Sequence, residues 1–379
     1  MSRPRRSTPP PADPFAGRRR PEVIVCAGGG GVGKTTFSAA LALSLARAGK
    51  RTLVVTVDPA RRLADALGIA IGTEACSVDV EPGLEGRLHA LMPEPESAVR
   101  LCLDYVFEGE PEARARVLDN SLYRALEDAI AGVHELLSVV LVARAAELLD
   151  VERVVVDTAP SRHALDFVTY PGRLATLLEG RAMGWLARLT ARGDEAPASA
   201  RGIIAWGKRR VEKALGRVLG PHVLHDLASI FSDLSVVRHR FSAVTRQAEA
   251  LLLGPATRFV LVAAPTGSAA ADAEYLAQRI EHLGRRPAAV VLNRADSGAP
   301  GWVAELLAAS PPEALRRAVH DIEEERAART AAADTTSALL SARIPGVRQV
   351  RLPAIEAQSP ADIVRALANH IDDGRLGFG

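Results

Sequence analysis

The sequence predicts an α/β fold, a mostly parallel, helix-flanked sheet with a helical subdomain inserted into it. Three observations carry that expectation. Short β-branched runs alternate with longer helical patterns along the 379 residues. The runs are continuously apolar rather than alternating, as strands buried on both faces are. The helical stretches between them imply crossovers that keep neighbouring strands parallel.

In chain order, residues 1–20 come first. They hold six arginines and a single acid, Asp13, without apolar periodicity, so they predict a disordered basic tail. Residues 21–379 then read as one domain. Its strands are predicted at 22–27 (EVIVCA), 52–57 (TLVVTV), 153–157 (RVVVD), 258–264 (RFVLVAA), 288–292 (AAVVL) and in the region 348–352. Two stretches break the alternation, about 98–150 and 172–254, and read as helical insertions. In the second, Leu174, Leu177, Leu178, Trp185, Leu186 and Leu189 fall at helical spacing. After a Gly/Pro/Ala-rich gap at 193–202, a further stripe runs through Leu224, Leu227, Phe231, Leu234, Val237, Phe241, Val244 and Ala248. Each stripe reads either as packing or as a groove for a partner helix.

The composition narrows the function. A formal net charge of +2 implies no polyanionic partner, and nucleic acid is not expected. No apolar run approaches the ~20 residues of a spanning helix, and the arginine-rich leader is not followed by a signal-type apolar segment, so a cytoplasmic location is expected. Cys26, Cys76 and Cys102 form no C-x-x-C pair, which predicts neither a zinc clasp nor a disulfide framework.

One stretch carries chemistry. Gly28, Gly29, Gly30, Gly31, Val32, Gly33, Lys34 and Thr35 fit G-x-x-x-x-G-K-[ST] between a predicted strand and a predicted helix, the context a P-loop requires. Glycines let the backbone approach an anion and turn N–H groups toward it, and the helix adds its positive end. Thr36 follows on the first helical turn. Lys34 is expected on the β- and γ-phosphates of ATP, and Thr35 on Mg²⁺. A second metal holder is expected at a strand end, and VVVDTAP supplies Asp157. In VVTVDPARRLADALG, Asp58 ends a strand and Pro59 turns the chain. That carboxylate could orient an attacking water or simply form the turn.

GGVGKTT, VDPARRLADALG and DTAPSRHALDF, in that order, resemble the ArsA/Get group of ATPases. These are dimeric, deviant P-loop ATPases related to MinD/ParA and to nitrogenase iron protein. The resemblance covers about residues 22–370. It implies that Asp58 and Pro59 lie in a first switch, with Asp58 activating water. It implies a second switch through Asp157, Thr158, Ala159, Pro160, Arg162 and His163, with His163 in a supporting role. AGVHE at 131–135 resembles a family segment near the catalytic face. Asn293, in VVLNR, resembles the adenine-reading asparagine, and the loop around Pro353 would flank the base.

The departures are informative. The family loop reads G-K-G-G-x-G-K-T, and its first lysine reaches a partner's phosphates; Gly29 stands there instead. The chain is therefore expected to turn over slowly as a homodimer. Pairing with a lysine-bearing ArsA-like subunit is expected to stimulate it, and Gly29→Lys to raise turnover where the loop tolerates the side chain. Arg162 replaces a glycine and reads either as a substitute cation or as a surface residue. Beyond the first residue the chain holds only Met92 and Met183, so no methionine-rich groove for membrane helices is indicated; a membrane-protein client stays open through the resemblance. ALDFVTYPGRL looks like bacterial members that pair two unequal subunits. Three readings result. The first is a Mg-ATP hydrolase coupled to a client, and the second a slow regulatory nucleotide-binding subunit of a hetero-oligomer. The third is a MinD/ParA-like positioning ATPase, which the acidic, glycine-rich C-terminus disfavours for want of a basic amphipathic helix.

Overall fold

The computed structural model describes residues 20–58, 61–120, 133–159, 165, 221–295, 312–371 and 376. Residues 1–19 of the basic tail expected at 1–20, together with Pro59, Pro160, Arg162, His163 and the stripe from Leu174 to Leu189, lie outside these residues.

The described strands build one sheet of eight: β1 (Glu22–Gly28), β2 (Thr52–Thr56), β3 (Cys76–Ser77), β4 (Leu88–Leu91), β5 (Arg153–Asp157), β6 (Thr257–Ala263), β7 (Pro287–Leu292) and β8 (Arg348–Arg351). Their order is β3-β4-β2-β5-β1-β6-β7-β8. Every pairing is parallel except β3 with β4. All six anticipated strands are present to within a residue or so. β3 and β4 were not anticipated. β3 has two residues, and LHAL of β4 is too short to display a period and carries His89 in its middle. β8 also differs from expectation. It is an edge strand of half-exposed pattern rather than a buried one, and its rim is charged, with Arg351 bonded to Asp334 at 2.6 Å.

Two registers place the carboxylate that ends β5. Asp157 lies opposite Cys26 of β1 and opposite Thr56 of β2. From β1 the chain turns one way, to β2 beyond β5; from β5 it crosses β1 to reach β6. The sheet therefore reverses its winding at β1, and ligands of such sheets sit beyond the carboxyl ends of the strands at that reversal.

The helix after β1, α1 (Lys34–Arg47), is buried almost all round. Phe37, Leu41, Leu43 and Leu45 are fully buried, each contributing about 1.5–3 kcal/mol by leaving water. That burial anchors the start of the helix against the sheet. Its other neighbours are α2 (Arg62–Leu67) and the C-terminal helix Pro360–Ala368.

The chain divides into two compact units. One, residues 19–93, 145–166 and 253–379, holds the sheet. The other spans 94–144 and 167–252, and its described part is helical: α3 (Pro95–Val106), α4 (Pro111–Asp119), the larger part of α5 (Val133–Leu148), and α6 (Pro221–Leu252). Of the second predicted stripe, Val237, Val244 and Ala248 are buried. Charge reinforces the packing of α6 on its neighbours. Arg116 donates to the buried Asp233 at 2.7 Å, and Arg240 pairs with Glu108 and lies over the Tyr105 ring. No described helix is long and apolar enough to cross a membrane.

Candidate functional site

The glycine loop leaves β1 at Gly28 and enters α1 at Lys34. A Cβ on Gly28 would collide with the carbonyl oxygen of Val262 on β6, so the strand packs too closely there for any side chain. Gly31 and Gly33 adopt φ of +72° and +86°, conformations that glycine takes without strain. Gly33 precedes α1 without any side-chain cap, so the first-turn N–H groups have no side-chain acceptor. The amide of Asn293, just beyond β7, donates to Val32 O at 2.9 Å and packs against Gly33. Pro353 is the second residue of the loop after β8. That loop is tied to the one after β7 by Ala295 N–H donating to Leu352 O at 2.8 Å.

Lys34 is 5% exposed, and its ammonium donates to Gly29 O at 2.9 Å. Burial pushes its pKa down, against the charges of Asp157 and Asp58, which hold it up. Asp157 is wholly buried and surrounded by hydroxyls. Thr35 donates to its Oδ2 at 2.7 Å, Thr56 to the same oxygen at 3.3 Å, and Ser38 to Oδ1 at 3.4 Å. Thr56 in turn accepts the backbone N–H of Asp58 at 3.1 Å, so the two carboxylates share one hydrogen-bonded strand end. Thr158 donates to Cys26 O at 2.9 Å, while Ala159 is the last described residue of the anticipated second switch before Leu165. Thr36 is half-buried on the first turn of α1.

The structure thus brings Lys34, Thr35, Asp58 and Asp157 together, with Asn293 behind the loop. Sequence reasoning missed Ser38 and Thr56. Each had a signal: a hydroxyl four residues beyond Lys34 in a helix otherwise buried and apolar, and a threonine at the end of a buried strand. It also missed Asp272 of α7 (Ala269–His282). A Cβ on Gly29 would lie 2.9 Å from Asp272 Oδ2, so a carboxylate already occupies the space beside the position where the family loop carries lysine.

The donors suit a hard cation. Thr35 and Asp157 offer one hydroxyl and one carboxylate, and no described cluster of three or more His, Cys, Asp or Glu residues could hold a metal by itself. Magnesium bound through one or two protein oxygens plus phosphates has that pattern. The loop also fits a polyphosphate, since the space around the Cβ positions of Gly30 and Gly31 is open.

Asp157 carries a cost. Burial raises its pKa from 3.8 to about 6, against the hydroxyl bonds and Lys34, which lower it. Folded Asp157 holds its proton more tightly than unfolded Asp157. Its burial therefore destabilises the fold above about pH 6, and that penalty fades as pH falls toward 4. Asp157→Asn, melted without nucleotide or divalent cation, is expected to gain on the native chain as pH rises from about 4 to about 6 and to level off above that, by on the order of 3 kcal/mol. A stability difference independent of pH between about 4 and 8 would contradict this.

Residues 21–192 match the family described as anion-transporting ATPase. Among curated proteins, ATPase get3 of Schizosaccharomyces japonicus is 33% identical over 172 residues, 45% of this chain and 48% of that protein. ATPase get3 of Aspergillus terreus is 35% identical over 167 residues, 44% and 46% of the two chains. The chain spans about half the length of the curated relatives it matches.

Proposed function

We propose that this chain, whose residues 21–192 match the family described as anion-transporting ATPase, is an ArsA/Get-type ATPase that binds ATP with Mg²⁺ at the 28–36 loop and hydrolyses it. The observation that carries this reading is the buried Asp157 carboxylate, bonded by Thr35 at 2.7 Å beside the Lys34 ammonium. Glycine-loop N–H groups and Lys34 hold the phosphates. Thr35 and Asp157, already bonded to each other, would hold the metal. When bound, the ion neutralises charge on the β- and γ-phosphates. Asp58, tethered through Thr56, orients the attacking water. The water oxygen bonds to the γ-phosphorus as the bond to the β–γ bridging oxygen breaks. ADP keeps that electron pair; one proton of the water stays on the released phosphate and the other passes to solvent. Asn293 and Pro353 flank the adenine. The second switch, including Pro160, Arg162 and His163, senses the γ-phosphate.

On this reading the chain is a cytoplasmic, dimeric ATPase with helical insertions at about 98–150 and 172–254, and its nucleotide state biases a client or partner. A membrane protein is the client class suggested by the resemblance. A second reading, a slow nucleotide-binding subunit of a hetero-oligomer, is favoured by Gly29, with Asp272 standing beside it.

Titration calorimetry with ATP tests the site. Binding with magnesium, weakened at least about tenfold by chelation, is expected, since charge-assisted contacts are worth about that much each. No heat of binding with ATP in either condition would remove the reading.

A further inference from the structure

Asp58, on which the proposed water depends, is not alone. Arg62, the first residue of α2, lies on the next turn of chain and places its Nη1 3.7 Å from Asp58 Oδ2. The pair is unequal. Asp58 is 11% exposed at its side chain and Arg62 is 57% exposed, so the arginine approaches the carboxylate from the solvent side. At 3.7 Å the pair is longer than a tight charge-assisted bond, which closes to about 2.7–2.9 Å. A long contact made by a half-exposed guanidinium is weak and easily exchanged. The guanidinium also bears on the loop lysine: burial pushes the Lys34 pKa down and the Arg62 charge adds to that push, so the two cations stand in one field. The pattern DPARRLAD therefore brings an exchangeable cation to the mouth of the site in a chain whose loop carries glycine at position 29.

We propose that Arg62 is a phosphate-contacting residue that exchanges its Asp58 partner for the γ-phosphate of ATP. This rests on the reading of the loop as an ATP site and deepens it. The exchange has two consequences. It supplies from within the same chain a charge on the transferring phosphate, of the kind the missing lysine would donate from a partner. It also frees an Asp58 oxygen to accept a hydrogen bond from water. With ADP there is no γ-phosphate, so the Arg62–Asp58 pair stays as the structure has it. The guanidinium fork suits this role, because it can meet two phosphate oxygens at once where an ammonium meets one point. Arg62 forms no covalent bond at any stage of the hydrolysis.

The test separates γ-phosphate contact from general charge and from structure. Affinities for ADP and for the slowly hydrolysed analogue ATPγS, each with magnesium, are measured by calorimetry for the native chain, Arg62→Ala, Arg62→Lys and Arg61→Ala. Steady-state kcat is measured on the same samples. Arg62→Ala is expected to bind ADP as the native chain does, within about twofold. It is expected to lose about tenfold in ATPγS affinity, the scale of one charge-assisted contact. Its kcat should fall at least about tenfold, less than the 10³–10⁵ of a fully enclosed arginine finger because Arg62 is half exposed. Arg62→Lys should recover part of the ATPγS affinity. Arg61→Ala removes the neighbouring positive charge and should leave the ATPγS-to-ADP ratio unchanged.

Three results overturn the proposal: an unchanged ATPγS-to-ADP ratio and kcat in Arg62→Ala; equal losses for both nucleotides, which would make Arg62 a support of the loop; or the same loss in Arg61→Ala, which would make the effect a diffuse field. A native chain that binds neither nucleotide would instead remove the nucleotide-site reading itself, a failure visible before any variant is compared.

Discussion

Lys34→Ala is expected to abolish ATP turnover, a loss of at least about 10³-fold, the scale of a cation placed on a transferring phosphoryl group. The lysine is a buried ammonium, 5% exposed, folded back to donate to Gly29 O at 2.9 Å. Burial works against its charge, and Asp157 and Asp58 maintain it. On the proposed reading, alanine removes the charge that would meet the β- and γ-phosphates. It also leaves Asp157 buried with one fewer positive neighbour, so the variant's carboxylate resists ionisation further at neutral pH. Both effects act against the triphosphate and its metal. Phosphate release at saturating ATP, alongside a thermal melt to show that the variant is folded, measures the loss. Turnover at the native rate would mean that the chemistry lies elsewhere.

Gly29→Lys by itself is expected to raise turnover little, whereas Gly29→Lys combined with Asp272→Asn raises it at least about tenfold. This refines the expectation drawn from sequence, which made the single change conditional on the loop's tolerance. Gly29 carries none of the positive φ of Gly31 and Gly33, so its backbone accepts a side chain. The obstacle is chemical. The new Cβ would stand 2.9 Å from Asp272 Oδ2, closer than ordinary contact, and the carboxylate must turn aside. Once turned, it remains within easy reach of the lysine ammonium, and an opposite charge on the same chain competes with a partner's phosphate. Asparagine keeps the shape and removes that competition. Asp272 lies in the first turn of α7, where an acid favours the helix by about 0.3–1 kcal/mol, so the folding penalty of its replacement is small. Equal rates for the single and double variants would show that Asp272 does not hold the introduced lysine.

Much of the fold and of the site is legible in the sequence, for identifiable reasons. The P-loop reads because strand, glycines, Lys-Thr and helix are contiguous, and every physical requirement of the loop lies within fifteen residues or so. The β-branched runs read because strands buried on both faces have nothing polar to interrupt them, as EVIVCA and RVVVD show. β4 did not read because four residues with a histidine among them leave no period to detect. The site's supports were hidden for a different reason. Thr56 and Ser38 meet Asp157 only because β2 and α1 pack beside β5, 101 and 119 residues away in the chain. Asp272 was invisible for the same cause: its nearness to Gly29 is made by α7 lying against the sheet and belongs to no local pattern. Arg62 stood in plain view within VDPARRLADALG, but a pair of arginines on a short helix reads as a solvated face until its distance to Asp58 is known.

The central claim is that this site is complete for binding and short of one charge donated across a subunit interface. The most direct test is the turnover per site of the native chain with magnesium and ATP, measured alone over a range of concentrations and then mixed with a lysine-bearing ArsA-like subunit whose own Lys-Thr motif is disabled. The account predicts tight ATP binding with slow turnover alone, and stimulation of at least about tenfold on mixing. Fast turnover by the native chain alone, unchanged by the added subunit, would contradict it.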